Sequence, residues 1–392
     1  MTRRGWALVG LSVALWGVGR AFGIPELIQL SLGTSTLCLG AVLWVQLGRR
    51  RLKLSRSFTE VRVHRGDETT LRIELGNPDP LPTPPLVISQ ELPFGPKVEA
   101  FLAPIHARRA EVLRHAVRPG RRGAYVLPPL DVTFTDPFGL ASNLRRLSDE
   151  SVLIVYPRVE NLAASGPIGA ALQGPKSRRV PSAHGEDLFG VRVYEAGDDP
   201  RKVHWPVTAK TGSLMVREDE AGARRMATVF LDNRSARRFS PESFERAVEA
   251  AASIVEMYAR SGYAIRLGLS QGLGIKFGRG STHYNQILEE LAVVELFDDE
   301  GIGLRRLSRE YPEGVLTIVT GDLEPPDVRT LSHTARRYQS VTLIRIVATP
   351  GPPASGAAGI LTKAGVRMIL LPPGQTLTEA WANSLGSRSW IA

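Results

Sequence analysis

Residues 226–260 read MATVFLDNRSARRFSPESFERAVEAAASIVEMYAR. Met226 to Leu231 is a nearly unbroken apolar run closed by Asp232, the pattern of a strand buried on both faces. Pro241 to Arg260 is a helical window, with Ser240 placed to cap it and proline in its first turn. The same alternation recurs downstream. YAIRLGLS (263–270) is the next strand, HYNQILEELAVVEL (283–296) a helix and VLTIVT (315–320) a strand. Pro326 to Tyr338 is helical, SVTLIRIV (340–347) and VRMILL (366–371) are strands, and a small-residue helix lies between those two. Strand–helix alternation at this spacing predicts an α/β domain over 226–392, a parallel sheet covered on both faces. Ligands of such sheets sit beyond the carboxyl ends of the strands, where Asp232 and Asp322 would project.

Upstream of this domain the periodicity changes to two. Over 57–160, Val61 and Val63 alternate with polar neighbours, as do Leu71, Ile73 and Leu75. Further short strands are expected from Leu86, Val98, Ala110, Ala124, Leu130 and Ser151, with PGRRG (119–123) and DPFG (136–139) as turns. Seven or eight such strands without a helical window predict an antiparallel β-sandwich. Arg121 and Arg122 read as a solvated hairpin tip, and the region carries no metal-ligand spacing.

The formal net charge of the chain is +10 and its pI about 10, which raises nucleic acid as a partner. The distribution of charge argues otherwise. Residues 1–56 hold eight basic residues against one acid, Glu26, whereas 57–160 hold 13 of each sign. The basic segment is also the most apolar: GWALVGLSVALWGVGRAFGI starts at Gly5 and LIQLSLGTSTLCLGAVLWVQLG at Leu27. Each is about 20 residues, the length that crosses a hydrocarbon core of roughly 30 Å. Residues 1–56 are therefore expected to form a transmembrane hairpin with spans of about 5–24 and 27–48, turning through an Arg20–Glu26 link that contains Pro25. Arg20, near the end of its run, can snorkel to the interface. Arg3 and Arg4 before the first span, and Arg49 to Lys53 after the second, place the N-terminus and the bulk of the chain in the cytoplasm. Trp6 and Trp44 fall near that face. The lone cysteine, Cys38, excludes an intramolecular disulfide and a cysteine metal cluster. No nucleic-acid partner is expected, and no G-x-x-x-x-G-K-[ST] loop is present to bind a nucleotide.

The densest polar chemistry lies in the connecting arm (161–225), in GEDLFGVRVYEAGDDPRKVHWPVTAKTGSLMVRE (185–218). Asp198, Asp199, Arg201 and His204 read either as an acid–base or anion-binding cluster or as a hydrogen-bonded network docking the arm. In the second reading Trp205 is its apolar plug. No nucleophile or metal spacing accompanies the cluster, which favours the network.

This stretch, with RGAYVLPPLDVTFTDPFGL (122–140), resembles the bacterial and archaeal family called domain of unknown function 58. Lys210 departs from it, since arginine is more frequent there. The resemblance covers roughly 57–390 and implies that 226–392 is a von Willebrand factor A-like, Rossmann-like domain. It also implies a MoxR-type AAA+ ATPase as partner, within machinery for assembling or maturing other proteins. Metal-binding members of the von Willebrand factor A class carry Asp-x-Ser-x-Ser, which coordinates Mg²⁺ through oxygens. Here the segment reads Asp232-Asn233-Arg234-Ser235-Ala236. Both serine positions are replaced, so no cofactor is expected. Asp232, Ser235 and Asp322, with Thr320, remain weak metal candidates, and Arg234 is expected to pair with one of the carboxylates in the cation's place.

The leading expectation is a membrane-anchored, non-catalytic interaction or scaffold protein. The alternative is a hydrolase-like enzyme using Asp198, Asp199 and His204.

Overall fold

The structure, a computed structural model, describes residues 1–47, 52–162, 191–194, 203–217, 226–234, 239–297, 314–347 and 355–386. Its contacts form two compact units, Met1–Tyr156 and Pro157–Ala392.

The first unit opens with helices α1 (Arg3–Phe22) and α2 (Pro25–Leu47), packed as a hairpin. The Thr2 side chain caps α1 by accepting from the Gly5 amide at 3.1 Å. Gly23 ends the helix at φ 70°, a left-handed conformation that glycine adopts without strain. Pro25 then opens α2, where its missing N–H costs nothing. The turn is therefore Gly23–Ile24 alone, shorter than the link the sequence suggests, and Pro25 belongs to the second helix. At 20 and 23 residues both helices are long and apolar enough to cross a bilayer. Ser12 and Ser31 join them midway: each Oγ donates to the other's carbonyl at 2.8 Å, and Ser12 Oγ lies 2.7 Å from Ser35 Oγ.

Ten strands follow: β1 (Lys53–Phe58), β2 (Arg62–His64), β3 (Thr69–Gly76), β4 (Leu86–Gln90), β5 (Val98–Leu102), β6 (Ala110–Val117), β7 (Gly123–Val126), β8 (Leu130–Thr135), β9 (Ser142–Leu147) and β10 (Val152–Tyr156). They form sheets ordered β1-β3-β6, β2-β10-β7 and β5-β4-β8-β9, with every pairing antiparallel except β2–β10. The alternation read from the sequence is realised in β3, where Leu71, Ile73 and Leu75 are buried. These three pack with Leu86, Ile88, Val132, Phe134, Leu153 and Val155 in one core that all three sheets share. Strands β1 and β9, with β1 starting at Lys53, add to those expected. Arg56 of β1 is buried beside this core. It donates to Gln90 Oε1 at 2.7 Å and the Pro128 carbonyl at 2.6 Å, and it pairs with Asp149.

In the second unit, β11 (Val191–Val193) pairs antiparallel with β12 (Met215–Arg217), with the short helix α3 (Trp205–Thr211) between them. The larger body comprises β13 (Met226–Leu231), α4 (Pro241–Arg260), β14 (Ala264–Leu269), β15 (Gly272–Gly278), α5 (Ser281–Val293), β16 (Val315–Thr320), α6 (Pro325–Ala335), β17 (Ser340–Ile346), α7 (Ser355–Lys363), β18 (Val366–Leu371) and α8 (Leu377–Gly386). Its six strands are ordered β15-β14-β13-β16-β17-β18, parallel except for the edge strand β15, which pairs antiparallel with β14.

Ser240 caps α4 through a reciprocal pair with Ser243: Ser243 N donates to Ser240 Oγ at 3.2 Å and Ser240 N to Ser243 Oγ at 2.7 Å. The helix buries Phe244, Ala247, Val248, Ala251, Ile254, Val255 and Tyr258, a stripe at three- and four-residue spacing. Tyr258 Oη meets Thr317 Oγ1 of β16 at 2.8 Å, and burial pushes its phenol pKa up. A second core joins Phe230, Leu316, Ile318 and Leu343 to Val328 and Leu331 of α6 and Leu361 of α7. Strand β15 and helix α8 are additions to the elements expected from the sequence. The approach to the sheet is anchored by Glu160, whose amide donates to Ser253 Oγ and whose carboxylate accepts from Thr378 N and Oγ1, each at 2.9 Å.

Candidate functional site

Strand order reverses direction at β13 and β16, and the crevice beyond the carboxyl ends of two such strands is where α/β sheets hold ligands. The last residue of β13 is followed by Asp232, and β16 ends in Thr320. Asp232, Asn233, Arg234 and Thr320 are all buried, with exposures of 0–1%.

Arg234 folds back on Asp232. Its Nε donates to Oδ1 and its Nη2 to Oδ2, both at 2.7 Å, a bidentate fork. Its Nη1 donates to Asp327 Oδ1 at 2.9 Å. Thr320 Oγ1 donates to Asp232 Oδ2 at 2.7 Å, and Ser270 Oγ, just past β14, donates to Oδ1 at 3.0 Å. Asp327 is held in turn by the start of α6: the Glu324 amide donates to its Oδ2 at 3.1 Å. One guanidinium thus lies between two carboxylates, one from the loop after β13 and one from the first turn of α6. Burial alone would raise the Asp232 pKa. The hydrogen bonds and charge of Arg234, aided by Thr320 and Ser270, outweigh it and hold the carboxyl below its usual range. The same carboxylates push the Arg234 pKa up against the opposing effect of burial, so the pair stays ionised.

Asn233 stitches the neighbouring loops together. Its Nδ2 donates to Gln271 Oε1 and to the Glu295 carbonyl, each at 2.9 Å, and its Oδ1 accepts from the Ser270 amide at 3.0 Å. The chain from Asp232 to Arg234 therefore bonds to segments that follow β14, α5 and β16.

The expected pairing of Arg234 is present, and it takes Asp232 and Asp327. Asp322 lies elsewhere: more than half exposed, it accepts from Arg345 Nη2 at 2.6 Å. The turn after β16 carries Asp322 outward, whereas Asp327, in the first turn of α6, faces back toward the strand ends. The sequence held a signal for this residue, since Glu324 and Asp327 stand three apart around Pro325-Pro326, the spacing of a helix-start capping pair. Ser270 had no such signal. Ser235 lies outside the described residues. Both oxygens of Asp232 accept from donors and Arg234 stands between the carboxylates, so this donor set does not suit a divalent cation. No group of three or more His, Cys, Asp or Glu able to hold a metal occurs among the described residues.

In the arm, His204 precedes α3 and caps it, its Nδ1 accepting from the Val207 amide at 3.3 Å. Its own amide donates to the Met215 carbonyl at 2.7 Å, tying α3 to β12. Asp198, Asp199 and Arg201 lie outside the described residues. Trp205 is 67% exposed. It is therefore no plug: as the first residue of α3, with Pro206 next, it projects from a seven-residue helix none of whose residues is buried. Leu214, beside the His204–Met215 link, is exposed as well. Lys210, in the last turn of α3, is exposed ahead of the left-handed cap Gly212.

Residues 190–347, from the start of β11 to the end of β17, match the family described as protein of unknown function DUF58. A curated relative, the uncharacterized protein YeaD of Bacillus subtilis (strain 168), is 23% identical over 274 residues. That alignment spans 67% of this chain and 66% of YeaD, just under two thirds of the relative's length. Among solved structures, the DNA-bound alkylpurine DNA glycosylase AlkC of Pseudomonas fluorescens overlays with a TM-score of 0.18 at 15% identity, over 35% of this chain and 46% of that one. A GH20 exo-β-N-acetylglucosaminidase of Vibrio harveyi gives 0.20 at 8% identity over 82% of each chain. Both scores are too low to indicate a common fold.

Proposed function

From the membership of residues 190–347 in the DUF58 family, we propose that this protein is a membrane-anchored interaction component. Its sandwich and α/β units face the cytoplasm, and it works with a MoxR-type AAA+ ATPase in assembling or maturing other proteins. In this reading the α/β unit is a von Willebrand factor A-like domain in which Arg234 has taken the place of the metal.

One observation carries the reading: the crevice where such a sheet would bind a ligand is closed from within by Asp232, Arg234 and Asp327. A domain whose strand ends are sealed by its own ion pairs presents a preformed surface, and recognition falls to surrounding loops and to exposed apolar residues such as Trp205 and Leu214. The strand order, with an antiparallel strand on one edge of an otherwise parallel sheet, supports the domain assignment. The basic residues flanking both apolar helices support the orientation.

The test is co-purification. The full chain, extracted in mild detergent, should retain a co-expressed MoxR-type ATPase in a nucleotide-dependent manner, and Trp205→Ala should weaken that retention. Failure to recover the ATPase with ATP, with ADP or without nucleotide would overturn the proposed partnership. A protease accessibility assay on sealed vesicles tests the orientation independently.

A further inference from the structure

The loop between β8 and β9, Asp136-Pro-Phe-Gly-Leu-Ala141, is built rigidly and attached to the helical hairpin. Asp136 is buried and closes the loop on itself: its Oδ2 accepts from the Phe138 amide at 2.9 Å and its Oδ1 from the Ala141 amide at 2.5 Å. Gly139 turns at φ 68°. The far side of the loop meets the start of α1. Thr2 donates its amide to the Leu140 carbonyl at 2.9 Å and its hydroxyl to the Gly139 carbonyl at 2.7 Å. Gly5 allows this approach, since a β-carbon there would lie 2.1 Å from the Leu140 oxygen. Leu140 and Ala141 then pack with Ala41 and Val45 of α2 and with Leu8 of α1.

These contacts fix the depth of the loop. Leu8 lies four residues beyond Arg4, about 6 Å along the helix at roughly 1.5 Å per residue. The loop backbone lies beside residues 2–5, at the level of Arg3 and Arg4, while Leu140 and Ala141 join an apolar cluster that reaches further along both helices. Two residues before Leu140, on the tip of the same braced loop, Phe138 is 64% exposed. Trp6 and Trp44, also more than half exposed, lie on the first turns of α1 and the last turns of α2, at the same end of the hairpin. Aromatic rings gather at the headgroup level of membranes because part of each favours the acyl region and part the interface.

We infer that the Asp136–Ala141 loop is a lipid-contacting wedge: Phe138 inserts into the bilayer interface beside the hairpin and seats the sandwich against the membrane surface. The inference rests on the hairpin spanning the bilayer. The occupant is lipid, because the loop that exposes Phe138 is bonded to the basic-flanked end of an apolar hairpin, the end at which Trp6 and Trp44 are exposed.

Site-directed spin labelling of the full chain in phosphatidylcholine–phosphatidylglycerol vesicles tests it. In a Cys38→Ala background, single cysteines replace Phe138, Val13 on the exposed face of α1, and Asp67 in the exposed turn between β2 and β3. The expected result is that labels at 138 and 13 are accessible to oxygen and shielded from a water-soluble nickel chelate, while the label at 67 shows the reverse. The oxygen-to-nickel ratio at 138 should exceed that at 67 several-fold. If the label at 13 reports lipid and the one at 138 reports water, the wedge is overturned and the hairpin stands. If the label at 13 reports water, the spanning hairpin fails and the wedge falls with it.

Discussion

Replacing Arg234 by Met removes the charge that two buried carboxylates share. Asp232, with 0% exposure, would keep only the Thr320 and Ser270 hydroxyls as side-chain partners from other segments. Breaking a buried ion pair by deleting one partner costs about 3–5 kcal/mol, because the remaining charge is left uncompensated in a dry site. At about 1.36 kcal/mol per decade, that corresponds to roughly 150-fold to several-thousand-fold faster opening of the local structure. Hydrogen exchange of the full chain in detergent, followed on peptides from β13 and β16, reads this directly. The pH dependence supplies a second, independent sign. In the wild type the folded Asp232 pKa is depressed, so its contribution is present at neutral pH and is lost as pH falls from the unfolded value, about 3.9, through the folded one. In Arg234→Met, burial, the largest single effect, is opposed only by the Thr320 and Ser270 hydroxyls and raises the folded value. Protection of β13 and β16 should then increase as pH is lowered from 7 toward 5, where the wild type is flat. Exchange within three-fold of wild type, or a pH trend of unchanged sign, would show that the triad does not hold the strand ends together.

Four further outcomes are expected. Asp327→Asn should slow the opening of neither strand and weaken both, by about 1.5–3 kcal/mol for a charged hydrogen bond, while Asp322→Asn, on the exposed Arg345 pair, should stay within about 0.5 kcal/mol by thermal denaturation. Arg56→Met should destabilise the body of sheets by about 1.5–3 kcal/mol, since Asp149 loses its guanidinium partner and keeps only the residue 56 amide, read as a lower urea midpoint for exchange of β1 and β8. Ser31→Val removes the bond from Ser31 Oγ to the Ser12 carbonyl, while Ser12 Oγ keeps the residue 31 carbonyl and Ser35 Oγ. It should loosen the helical hairpin by about 1–2 kcal/mol at most, measured by steric trapping or by increased spin-label distances between α1 and α2. Gly5→Val should displace the Asp136–Ala141 loop, seen as faster exchange of the Phe138 and Ala141 amides with the sandwich core unchanged.

The elements with strong periodicity were readable from sequence because their burial is two-sided or strictly alternating. Strands β13, β16 and β17 are apolar runs, and β3 alternates cleanly. Those that escaped notice lack such patterning. β9 reads SNLRRL and buries no residue, β1 is masked by the basic cluster before it, and β15, GLGIKFG, carries three glycines on a sheet edge. The candidate site divided in the same way. Asp232, Arg234 and Thr320 follow from a strand end and its neighbour, because topology alone brings those positions together. Asp327 depends on the direction in which a turn enters a helix, and the acid nearest to β16 in sequence, Asp322, is the one turned outward. Trp205 could not be placed from its neighbours, since an indole at a helix start is compatible with either core or surface.

The hydrogen bonds of Thr2 to residues 139 and 140 close the chain into a loop of nearly the full length of the first unit. The polypeptide passes from α2 into β1 at one point and touches back through α1 at another, so the sandwich is attached to the hairpin at two separated places. One attachment leaves a body free to swivel about a point; two restrict it to turning about the line that joins them. A tilt of the helix pair would then carry the sheets with it, as a lever carries its load, instead of leaving them behind.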